Sequence, residues 1–204
     1  MSTVAAEARP RPGRPSTGAR ERILEAGLEV LKADAYAGLT VAKVAALAGE
    51  NKALIAYHFG SKQGLVAAAG RTLGEEITEA VTESVGEAST IEGIVRGALD
   101  GIWGLMDRDV RVARVYFDLS AVSVVEDEVR DVMNAERSGW REVLLEMLGR
   151  AEPGLSKRTA DGLAVLISAG ISGLALERVE SGETPALRRA CEMFVRSTVA
   201  AASG

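Results

Sequence analysis

A chain of 204 residues, 47% hydrophobic and 26% charged, is long enough to bury a real core without a disulfide or a metal. Its single cysteine excludes a disulfide framework and a paired-thiolate metal site, its single histidine leaves no second imidazole for zinc, and no N-terminal apolar stretch resembles a signal peptide. The net charge of −5 argues at first against nucleic acid, but it is unevenly spread: residues 1–62 hold nine basic and six acidic side chains, the remainder 15 and 23, and four of the five lysines fall between Lys32 and Lys62.

Residues 1–17, with Pro10, Pro12 and Pro15 among arginines, read as a flexible arm. From Gly18 onward the pattern is helical: only Pro153 and Pro185 follow the arm, and no run of alternating β-branched residues suggests a strand. Ile23, Ala26, Gly27, Val30 and Leu31 form the first apolar stripe. Thr40 is placed to cap a helix over 41–48 that Gly49 stops, and Asn51 to cap a second short helix ending near Phe59 and Gly60. Ser61 opens the next, which runs to about Ser84. Ser89 and Glu92 have capping-box spacing before the stripe Ile91, Ile94, Val95, Ala98, Leu99, Ile102, Trp103 and Met106. Val112, Val115, Tyr116 and Leu119 mark a mostly buried helix. Ser123 and Glu126 repeat the capping-box spacing ahead of Val129, Val132, Met133, Trp140, Val143, Leu144, Met147 and Leu148. Pro153-Gly154 breaks the chain, a helix follows from about 156 to 181, and Thr184-Pro185 starts the last one. The expectation is an all-α fold of about nine helices: an arm over 1–17, a three-helix head over 18–64 and a larger helical domain over 65–204. The longest uncharged run, 162–176, is too short on this reading to span a bilayer.

Two short helices joined by Gly49-Glu50 have the helix-turn-helix layout, whose second helix can lie in a major groove. Val41, Val44, Ala45, Leu47, Ile55 and Phe59 are the residues expected to pack inward, leaving Lys52, Ala53, Leu54, Ala56, Tyr57 and His58 for the outer turns. Lys52 at the second helix's N-terminus and Lys62 in the first turn of the next are places for phosphate contacts. The stretch T-V-A-K-V-A-x-x-A-G-x-N-K-A-L-I-A-Y-H-F-G-S-K-Q-G-L, from Thr40 to Leu65, resembles the TetR family of bacterial transcriptional regulators. The likeness is closest in the A-G-x-N-K-A turn, the Y-H-F helix end and the following S-K-x-x-L. It implies that Thr40 and Asn51 cap and touch phosphates, that Lys52, Ala53 and Leu54 face base edges, that Tyr57 and His58 contact backbone or bases, and that Lys62 holds a phosphate. Leu54 and Ala56 depart from the family, which often has a small polar residue and a tyrosine there. Two apolar residues imply fewer phosphate bonds and methyl contacts to thymine. In the arm, Arg11 and Arg14 of Arg11-Pro12-Gly13-Arg14-Pro15 are similar to the arginines of short minor-groove motifs; they either enter an A·T-rich minor groove or add non-specific attraction.

The last two helices, about 156–181 and 185–202, combine small residues from Gly162 to Ala175 with Leu163, Leu166, Ile167, Ile171, Leu174, Leu187, Met193, Phe194 and Val199. Two such helices from each chain would make a four-helix bundle, and the resemblance implies the same homodimer. Between head and interface, Trp103, Met106, Tyr116, Phe117, Met133 and Trp140 are candidates to line a pocket, with Ser120, Glu136 and Arg137 to orient a ligand. Glu136 falls on the apolar stripe between Met133 and Trp140, so it is strained, paired or ligand-facing. The resemblance implies a small-molecule effector here, mostly apolar or aromatic.

The expected function is a ligand-responsive, sequence-specific regulator in the bacterial cytoplasm, at the nucleoid. It would bind palindromic double-stranded operator DNA as a homodimer and repress until a small molecule releases it. Transcriptional activation and a helical adaptor without a defined DNA sequence remain as alternatives. The chain has no GxSxG, P-loop or HExxH, and no catalytic set, cofactor, metal or membrane partner is expected.

Overall fold

The computed structural model describes residues 18–202. Among them are nine α-helices and no strand: α1 (Ala19–Gly38), α2 (Val41–Ala48), α3 (Lys52–Phe59), α4 (Lys62–Val85), α5 (Ile91–Arg108), α6 (Arg111–Val122), α7 (Asp127–Ala151), α8 (Lys157–Ser181) and α9 (Pro185–Ala202). Most start where a side-chain oxygen can take a backbone N–H that lacks a helical partner. Thr40, Asn51 and Ser61 accept from Lys43, Ala53 and Gly64, and Ser156 and Thr184 accept from Thr159 and Leu187.

Two caps differ from the sequence reading. Thr90, not Ser89, caps α5, accepting from the Gly93 N–H. Ser123 does not open α7; its hydroxyl donates to the Ser120 carbonyl at the end of α6. Ser123 keeps helical angles (φ −61, ψ −16), whereas an N-cap residue needs the extended backbone that Thr90 adopts (φ −134, ψ 151).

Two hydrophobic clusters hold the fold. In the first, Ile23, Leu31, Val44, Ile55, Leu65 and Leu73 of α1–α4 pack with Val112, Val115 and Leu119 of α6 and Met133 of α7. In the second, Val81 of α4 joins Ile94 and Leu99 of α5, Leu144 and Leu148 of α7, Ile167 of α8 and Val195 of α9. α4 runs through both, so the core of the first three helices continues without a break beyond residue 64 into α6 and α7.

α8 is, among the described residues, the one helix long and apolar enough to cross a membrane by length and composition, contrary to the expectation from its uncharged run. It is a packed helix of the fold: Leu163, Ala164, Ile167, Ile171 and Ala175 are buried, and the Phe194 ring of α9 lies against Gly170. Exposed apolar side chains remain on both helices: Val165, Leu166 and Leu176 of α8 and Met193 of α9, 39% to 61% exposed.

α1 is kinked near its end. Ala35 has φ 57 and ψ −177, a region open in practice to glycine alone. A β-carbon held there costs about 1–3 kcal/mol. Ala35→Gly is therefore expected to raise the urea-unfolding free energy, by about 1 kcal/mol once the greater freedom of glycine in the unfolded chain is subtracted. An unchanged or lower value would mean that the kink is unstrained.

Candidate nucleic-acid interface and ligand cavity

The turn between α2 and α3 is set by Gly49, whose φ of 66 suits a residue without a β-carbon. The Glu50 N–H then returns to the Ala45 carbonyl, and the Glu50 carboxylate pairs with Arg22 of α1. Asn51 caps α3, whose Ile55 is fully buried while Leu54 and Phe59 pack partly against the same cluster. The Arg20 guanidinium of α1 lies 5.5 Å from the Phe59 ring centre. α3 is thus fixed by its inner face, and its outer face carries exposed Lys52, Ala53, Ala56 and Tyr57, the last 73% exposed.

The second feature is a cavity of about 330 Å³ enclosed by α4, α5, α6, α7 and α8. Ile77, Val81, Ile102, Leu105, Met106, Val112, Tyr116, Phe117, Trp140 and Ile171 give it apolar walls, and Glu136, Arg137 and Arg141 bring charge from α7. The Trp140 indole N–H donates to Ser168 Oγ at 3.1 Å, and that hydroxyl donates to the Ala164 carbonyl, so the ring is held between α7 and α8. The Tyr116 and Phe117 rings meet edge to face at 5.5 Å. Burial pushes the Glu136 carboxyl above the usual carboxylate range; Glu75 adds to this and Arg71 opposes it.

A helix-turn-helix with an open recognition face, joined to a helical body with an apolar cavity, matches two family models. The one for bacterial regulatory proteins of the tetR family covers residues 23–69, and that for the C-terminal part of BetI-type transcriptional repressors covers 95–202, more than half the chain. The chain belongs to the TetR family.

Solved structures agree on the fold. A Rhodococcus sp. protein assigned to the TetR-family transcriptional regulators superposes with a TM-score of 0.75 at 21% identity, covering 91% of this chain and 99% of that one. The transcriptional regulator FadR from Bacillus subtilis, in complex with stearoyl-CoA, gives 0.71 at 18% identity and coverage of 89% and 98%. A Saccharomonospora viridis regulator in complex with choline gives 0.68 at 20% identity and coverage of 88% and 94%. No curated protein sequence matches the chain closely enough to count as a relative. As a TetR-family member the chain is a DNA-binding transcriptional regulator.

The TetR-family resemblance assigned DNA contacts to particular residues, and the structure sorts them. Arg11 and Arg14 lie outside the described residues. Lys52, Ala53 and Tyr57 stand on the open face of α3. Thr40 and Asn51 use their side-chain oxygens as caps. Leu54, expected on the outside, is half-buried, because it borders the Ile55–Phe59 stripe. Leu47, expected inside, is 59% exposed; Ala48, one residue on, continues the stripe of Val41, Val44 and Ala45. His58 is half-buried between Tyr57 and Phe59, with its Nε2 enclosed and without a hydrogen-bond partner. Lys62 is turned inward: its ammonium donates to the Tyr36 carbonyl at 3.1 Å and lies 4.2 Å from the Tyr36 ring centre. Lys43 in α2 bridges Asp34 and the Gly38 carbonyl.

Of the expected ligand residues, Met106, Tyr116, Phe117, Glu136, Arg137 and Trp140 line the cavity. Trp103, Ser120 and Met133 do not. Trp103 lies under the Arg178 guanidinium, whose Nη1 also donates to its carbonyl. Met133 is a buried member of the first cluster, and Ser120, near the end of α6, has its hydroxyl enclosed without a partner. The sequence reading missed the walls from α4 and α8, which include Gly74, Thr78, Ser168 and Ser172. A lone glycine inside a helical run was the available signal for Gly74. Ser168 and Ser172 belong to the small-residue stretch read wholly as an interface.

Proposed function

We propose that this regulator represses transcription as a homodimer on a palindromic operator and is released when a small molecule fills the cavity. The observation that carries the reading is the pairing of a fixed α3, with Lys52 and Tyr57 outward, and an apolar cavity behind it in the same fold. Residues 18–64 act as the DNA-binding head, and the body from 65 onward binds ligand and dimerises. The exposed Leu166, Leu176 and Met193 support pairing through α8 and α9. The ligands of the FadR and Saccharomonospora viridis structures support a small-molecule effector in principle. The cytoplasm follows as the place of action, and a regulator needs no enzymatic activity.

The coupling route is Asp118. It neighbours Tyr116 and Phe117 on α6, and its Oδ2 accepts the Tyr36 N–H at 2.6 Å, just past the strained Ala35. The Tyr36 carbonyl accepts from Lys62 in the first turn of α4. A ligand that binds better to a displaced α6 would thereby move the end of α1 and the start of α4, and with them the separation of the two recognition helices, which a matching site needs at about 34–36 Å. Asp118→Ala is expected to leave ligand affinity within about threefold and to cut the ligand's effect on DNA affinity by at least about fivefold. Unchanged linkage would exclude this route.

Selecting bound duplexes from a random-sequence library at near-physiological salt tests the reading as a whole. The expected result is a palindromic consensus with half-sites one turn apart. A folded, dimeric protein that returns no consensus, with or without ligand, would favour the adaptor; a consensus at which ligand strengthens transcription would favour activation.

A further inference from the structure

The charges at one end of the cavity point to the chemistry of what fills it. We infer that the cavity takes a lipophilic organic cation, an aromatic or alkyl body carrying one quaternary or protonated amine. The inference rests on reading this cavity as the effector site.

Its anchor is Glu136. The carboxylate lies against the backbone of α4 at Gly74, where an added β-carbon would come within 2.2 Å of Oε2. It makes no hydrogen bond and no ion pair with any described residue. A half-buried carboxylate without a partner is a standing cost to the fold, and burial raises its proton affinity accordingly. An ammonium beside it would remove that cost. Trp140, Tyr116 and Phe117 in the same wall supply the rings against which an alkylammonium is stabilised.

The cations of the wall do not neutralise this carboxylate. Arg137 and Arg141 are solvent-exposed, and Arg137 Nη2 donates to Asn134 Oδ1 at 2.7 Å. Arg71 acts on Glu136 without forming an ion pair.

The approach carries the same sign. Thr78, Glu136 and Trp140 also border an open groove between α4 and α7, lined by Glu75, Glu79, Glu83, Glu142 and Glu146. A groove of like-charged carboxylates concentrates cations at its floor.

Calorimetric titration with three probes on one body tests this: 4-phenylbutyltrimethylammonium, 4-phenylbutanol and 4-phenylbutyrate. The ammonium should bind at least roughly tenfold more tightly than the alcohol, and the carboxylate most weakly. Glu136→Gln should abolish the ammonium's advantage, bringing the ammonium and the alcohol to within about threefold of each other. Preference for the carboxylate, or an ammonium advantage that survives Glu136→Gln, would overturn the cation inference while leaving the cavity as a ligand site. Failure of all three probes to bind would overturn the effector site as well.

Discussion

Alanine at both Gly97 and Gly101 is expected to lower the stability of the protein by about 3 kcal/mol or more, with a fall in Tm of roughly 10 °C. α5 lies on α4 closely enough for backbones to meet. A β-carbon at residue 97 would fall 2.7 Å from Val85 Cα, and one at residue 101 would fall 2.8 Å from both Val81 Cα and the Ala80 carbonyl oxygen. The obstructing atoms are backbone, so no rotamer change relieves the overlap; the helices must separate. Separation would open the second cluster where Val81, Val85, Ile94 and Ala98 meet. Gly104→Ala on the same helix is the control. Its nearest neighbour would be the end of the Arg108 side chain at 3.8 Å, so the gain in helix propensity should stabilise by up to about 1 kcal/mol. Equal effects at the three glycines, read by thermal and urea unfolding, would show that close approach of α4 and α5 is not what the pair provides.

Lys52→Ala combined with Tyr57→Ala is expected to weaken operator binding by about 100-fold or more while leaving Tm unchanged. Both side chains project from the outer face of α3 and take no part in the core. The two losses should differ in kind. Lys52 sits at the helix N-terminus, where a phosphate is favoured, so its removal should weaken all duplexes alike and reduce the salt slope by about one. Tyr57→Ala should change the preference among sequences as well as the affinity. Lys62→Ala gives the contrast: its ammonium is held by Tyr36, so that variant should lose stability. Affinity measured by anisotropy across a salt series separates these cases.

The head was legible because its signals are local. Thr40, Gly49, Asn51 and Ser61 act within a few residues of themselves, and each performs the turn or cap that its chemistry allows. Lys62 was not legible, since its partner is Tyr36, brought alongside by a kink at Ala35 that no residue type announces. Leu47 and Leu54 were misplaced because an eight-residue helix has too few turns to distinguish neighbouring stripes. In the body, bulky residues marked α6 and α7 as cavity walls, but size alone could not separate Trp140 from Trp103, whose ring is covered by Arg178 from a helix 75 residues away in sequence. Nor did Gly97 and Gly101 declare their role; their four-residue spacing acquires meaning only once α4 is known to lie against it.

The reading of α3 as a sequence reader is tested most directly by one ratio: affinity for the selected palindromic duplex against a scrambled duplex of the same length and composition, at near-physiological salt. Specific recognition predicts a preference of at least about a thousandfold. Affinities within about tenfold of each other, from a folded dimer, would mean that the basic head attracts DNA without reading it.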